Sequence, residues 1–91
     1  MAVIKLRWPV ERNSAERRAF TVEWNMQRGR FVALDDDRNV LGTSVSQNSA
    51  IALAIRDANL ASRSGNLIMV RVLQQNGEFR NEHIACPPPV L

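Results

Sequence analysis

An α+β fold, built as an antiparallel sheet of five to six strands with one helix packed across a face, is predicted by three observations. Residues 46–63 carry apolar side chains at helical spacing, with Ser46 placed to cap them. The segments on both sides alternate apolar and polar residues with a period of two, as half-buried strands do. Gly29, the Asp35 to Asn39 run and Asn76–Gly77 punctuate those segments where hairpins turn. The expected order is β-β-β-β-α-β-β.

The first expected strand is Val3 to Trp8, with Ile4, Leu6 and Trp8 on one side and Lys5 and Arg7 on the other. Pro9 ends it, and a polar connection through Asn13 and Ser14 follows, where Arg12, Arg17 and Arg18 collect. The second strand has the cleanest alternation: Phe20, Val22, Trp24 and Met26 against Thr21, Glu23, Asn25 and Gln27. The first set is expected in the core, and Trp8 and Trp24 with it, since both are in phase with aliphatic neighbours. Arg28 and Gly29 then form an expected two-residue turn into Arg30 to Leu34. After a turn at Asp35 to Asn39, a fourth strand runs from Val40 to Val45, weakened by Gly42.

The helix follows, from the Ser46 cap to about Arg63, with Gly65 placed to stop it in a left-handed conformation. Ala50, Ile51, Ala54, Ile55, Ala58 and Ala61 form one stripe, and its alanines let the helix lie close against a sheet. Leu53 and Leu60 lie on another flank, seven residues apart, and make a candidate partner interface. Leu67 to Leu73, rich in β-branched residues, is the expected central strand. Gln75, Asn76 and Gly77 turn the chain into a last strand, Glu78 to Ala85. Residues 1–86 thus read as one domain, and the prolines at 87, 88 and 89 give a stiff, extended tail over residues 87–91.

Residues Arg28 to Pro89 carry Gly29, Phe31 and Val32 on a strand, then Ser46, Ala50, Ile51, Ala54 and Ala58 on a capped helix, then Gly77 in a hairpin and the closing prolines. This pattern resembles a small bacterial family of unknown function, the one numbered 2188. That family more often places Trp directly after the glycine, where this chain has Arg30. The resemblance implies a fold and no chemistry.

Composition narrows the function classes. The chain has 91 residues, 45% hydrophobic and 23% charged, which suits one small folded domain. Its apolar runs, such as Leu67 to Val70, are far below the roughly 20 residues a membrane span needs, so a cytoplasmic protein with no membrane partner is expected. The single cysteine, Cys86, has no internal disulfide partner and fits a reducing compartment. Net charge is +3, and a GC-rich genome explains the preference for Arg over Lys as well as phosphate binding does.

Catalysis needs convergent nucleophiles or proton carriers. His83 and Cys86 are each alone of their kind, and their spacing in an extended segment puts them on opposite faces. No enzyme, no metal and no cofactor is expected. Asp35, Asp36, Asp37 and Asn39 offer oxygens at intervals, but a calcium loop starting at Asp35 needs Gly and Glu where this chain has Val40 and Ser46. A turn held by its own side chains is the better reading. The stretch RGRFVAL approximates an RNA-recognition strand with its first aromatic replaced by Arg30. A non-catalytic binding or assembly module is therefore expected, self-associating as a homodimer through a sheet edge or the Leu53 and Leu60 flank. The alternative is nucleic-acid binding through Arg12, Arg17, Arg18, Arg28 and Arg30 along one edge.

Overall fold

Alternating side chains set the course of the chain from Arg17, the first residue that the computed structural model describes, to Pro88, the last. Strand β1 (Arg17–Asn25) leads into β2 (Arg30–Leu34) and β3 (Val40–Ser44), helix α1 (Gln47–Ser62) follows, and β4 (Leu67–Leu73) and β5 (Phe79–Ala85) close the order. The strand expected at Val3 to Trp8, the arginine at 12 and Trp8 lie outside the described residues. The class is α+β, one helix packed on an open five-stranded sheet.

The sheet is mixed, not purely antiparallel. Its order is β3-β2-β1-β4-β5, and β1 pairs in parallel with β4, Arg17 beside Leu67 through Val22 beside Val72. An antiparallel meander, β1–β2–β3, and an antiparallel hairpin, β4–β5, are thus joined by a crossover through α1, which returns the chain in the direction β1 runs. The centre of the sheet is therefore β1, with the expected central strand, β4, beside it.

One face of the sheet meets the helix. Phe20 and Val22 of β1, Ala33 of β2, Ile68, Val70 and Val72 of β4 and Ala85 of β5 pack against Ala50, Ile51, Ala54 and Ala58. Small side chains on α1 are what let β4 and the helix close over these branched residues. On the opposite face Val32, Leu34 and Leu67 are also buried, and so is Thr21, at 6% exposure, although alternation puts it on the wet side. Its position explains this: Thr21 sits in the central strand between Leu34 and Arg71, and its Oγ1 accepts a 3.4 Å hydrogen bond from Arg71 Nε.

Turn chemistry closes the elements. The expected two-residue turn at Arg28 and Gly29 is a four-residue loop, residues 26–29, because Asn25 ends β1 by accepting the Arg28 N–H on its Oδ1 and the Gly29 N–H on its carbonyl, both at 2.9 Å. Gly29 has φ +63°, the left-handed conformation glycine enters without strain. Asp35 Oδ1 accepts from the amides of Asp37 and Asn39 at 2.9 and 2.8 Å, so its carboxylate is engaged by its own turn. Ser46 Oγ accepts the Ser49 N–H at 3.2 Å and caps α1.

Both outer strands carry a bulge. Opposite Ala33 and Leu34, β3 inserts Leu41 between Val40 and Gly42. Opposite Val70 and Arg71, β5 inserts Glu82 between Asn81 and His83. Such insertions twist an edge away from further pairing.

Candidate functional site: an aromatic groove at the end of the sheet

Trp24 and Phe31 are register partners on β1 and β2. Their phase with Phe20, Val22 and Ala33 aims both toward the helix side, and their rings meet edge to face with centroids 4.9 Å apart and planes at 68°. Ser44 of β3 pairs with Phe31, and α1 begins only three residues later, so the helix starts level with this aromatic pair and does not extend over it. Trp24 is consequently 50% exposed. The expectation that it is buried fails because in-phase alternation says which face a side chain takes, not whether another element covers it there.

These two rings form the wall of a groove of about 730 Å³. Met26, 85% exposed in the loop after β1, and Leu73 at the end of β4 complete its apolar surface. Gln47 from the first turn of α1 and Gln74 and Gln75 from the β4–β5 turn supply its polar groups. None of these lining side chains is ionisable. Among the described residues no hydrogen bond engages the three carboxamides or the indole N–H of Trp24, so the groove presents unspent donors around an aromatic surface.

The residues singled out from sequence do not gather here. Arg17 and Arg18 open β1 and Arg28 and Arg30 stand beyond its far end, about 25 Å away at 3.3 Å per residue. They belong to the central strand and its first hairpin, so they do not line one edge as expected. Arg18 is also engaged: its guanidinium donates to both carboxylate oxygens of Asp36, at 2.9 and 2.7 Å. That bidentate hydrogen bond holds the Asp36 carboxyl below its ordinary pKa and raises that of Arg18. Arg30 Nε donates to Thr43 Oγ1 at 3.2 Å on the face away from Trp24. Arg28 is exposed in the 26–29 loop.

Leu53 and Leu60 also separate. Leu53 is partly buried against Gly42 of β3, while Leu60 is 53% exposed, so the flank is half covered by the sheet. His83 Nε2 lies 3.0 Å from Asn59 Oδ1 and ties β5 to α1; Cys86 is exposed past the end of the strand. No group of three or more His, Cys, Asp or Glu among the described residues is placed to share a metal ion. No helix among them is long and apolar enough to cross a membrane.

No family model, curated protein or solved structure matches this chain. The groove is therefore read from its own chemistry. Sequence reasoning missed it because Gln47, Gln74 and Gln75 are unremarkable as letters and Met26 reads as the end of a strand. The one available signal was the uncharged Gln74–Gln75 pair standing between an apolar strand and the Asn76–Gly77 turn.

Proposed function

We propose that the protein is a non-catalytic binding module of the cytoplasm whose groove at Trp24 and Phe31 holds an apolar segment of a protein partner. The carrying observation is the half-exposed Trp24, braced by Phe31 on a strand and ringed by carboxamides without partners among the described residues. A rigid indole gives large contact area at little entropic cost, and such residues dominate binding energy at protein interfaces. A groove without ionisable side chains favours an uncharged segment over a phosphate backbone. Assembly by pairing of outer strands draws less support, because Leu41 and Glu82 bulge those strands. The separation of Arg17 and Arg18 from Arg28 and Arg30 likewise weakens the nucleic-acid reading.

Selection from a displayed library of random peptides tests the proposal. The selected peptides are expected to carry apolar residues and to shift the emission of Trp24 to the blue in a Trp8→Phe background. Trp24→Ala, with an unchanged circular-dichroism spectrum, is expected to weaken them by about 30-fold or more, the scale of an interface anchor. Peptides that bind Trp24→Ala as tightly as the parent chain would refute the groove as the site.

A further inference from the structure

We infer that the groove takes a proline segment in the left-handed extended conformation, and that Pro87, Pro88 and Pro89 of a second copy of this chain provide it. The inference rests on the groove being a binding site and names its occupant. A proline run presents apolar rings and backbone carbonyls but no N–H groups, so it offers acceptors only. The groove is the complement: flat aromatic rings at Trp24 and Phe31, and N–H donors on the Trp24 indole, Gln47, Gln74 and Gln75 without partners among the described residues. Aromatic-lined grooves hold such segments because the proline conformation is already set before binding and little entropy is lost. No charge is needed on either side, and none of the described residues lining the groove carries one.

The occupant comes from another copy because of where the two features lie. Ala85 pairs with Ile68 at the start of β4, and Cys86 to Pro88 leave the sheet there without regular structure, Pro88 being exposed. The groove lies beyond Leu73, at the other end of β4. That is roughly 16 Å along the strand, and the four residues from Ala85 to the last proline span only about 12 Å when fully extended. One copy's prolines thus meet a neighbour's groove head to tail, a contact between unlike surfaces that leaves a free groove and a free proline segment at the two ends of each pair. The contact is small, so assembly is weak and concentration-dependent.

Sedimentation of the full chain under reductant, from about 20 μM to about 1 mM, reads this directly. The average mass is expected to rise with concentration past that of two chains. Trp24→Ala alone, and the triple variant Pro87→Ala, Pro88→Ala, Pro89→Ala alone, are each expected to stay monomeric. Mixed in equal amounts they are expected to form a pair and stop, since one retains the prolines and the other the groove. In parallel, a synthetic peptide covering residues 85–91 with Cys86→Ser is titrated into the Trp8→Phe chain, and a blue shift of Trp24 emission is expected. A shift with peptide but a monomeric full chain at every concentration overturns the second copy as the source while leaving the groove a binding site. No shift with this peptide, when library-selected peptides without proline do shift Trp24, overturns the proline inference alone. Failure of every peptide removes the groove reading itself.

Discussion

The Cδ1 atom of Leu53 lies where a side chain on Gly42 would begin: a Cβ added there stands 2.8 Å from it. This contact brings α1 down onto β3, an outer strand that a glycine otherwise only weakens. Helix and strand are fitted to each other at one position by the absence of a side chain.

Gly42→Val is therefore expected to cost about 1 kcal/mol, the low end of the range for overpacking, because the clashing atom is the tip of a side chain that can turn aside. Urea denaturation measures it. Adding Leu53→Ala is expected to recover part of the loss, so that the double variant is more stable than the sum of the single changes predicts. Strict additivity would show that the two side chains do not compete for one space.

The Arg18–Asp36 pair sets a pH dependence with a definite sign. Asp36 has a folded pKa below its unfolded value, so its contribution to stability is fully present above the ordinary carboxylate pKa, about 3.9, and fades as pH falls toward the lower folded value. Asp36→Asn is expected to flatten the stability curve in that acid range. At neutral pH a double-mutant cycle with Arg18→Ala is expected to give a coupling of about 1 kcal/mol or less, as both groups are partly in solvent. A parent and variant that lose stability in parallel below pH 5 would contradict the assignment.

At the start of the helix, removal of the Ser46 hydroxyl leaves the Ser49 amide without its acceptor. Ser46→Ala is expected to cost about 1 kcal/mol, and Ser46→Asp much less, because a carboxylate also accepts from the first turn and favours the positive end of the helix dipole. Thermal unfolding of the two variants separates a capping role from a packing one.

Core truncation is expected to cost more than any of these. Ile68 is fully buried between β1 and β5 under the helix, and Ile68→Ala is expected to remove about 2–5 kcal/mol. For a domain this small that is a large share of total stability. Amide exchange of β1 and β4 would accelerate together with the loss, since the two strands share one core.

How far the sequence carries is decided element by element. The helix was legible from its Ala and Ile stripe and the Ser46 cap, and α1 begins and ends within a residue of expectation. Strand β2 was legible because turns at Gly29 and Asp35 bound it. Direction was not: a three-stranded meander, a helix and a hairpin are compatible with several strand orders, and the parallel partnership of β1 and β4 is made by residues far apart in sequence that no local pattern pairs. Burial failed at Thr21 and Trp24 for one reason. Both depend on distant neighbours, Arg71 and Leu34 on the flanking strands for one and the level at which α1 starts for the other, and no local pattern encodes either. The groove was illegible for the same cause, its residues being drawn from β1, β2, α1 and the β4–β5 turn.

The parallel pairing of β1 with β4 has a kinetic consequence. Roughly forty residues lie between the two strands, so bringing them together closes a long loop, whereas the three hairpins and the helix require only neighbours in sequence. Folding is expected to wait on that closure: substitutions at Val22 or Val70 slow refolding, while a change in the β4–β5 turn mainly hastens unfolding.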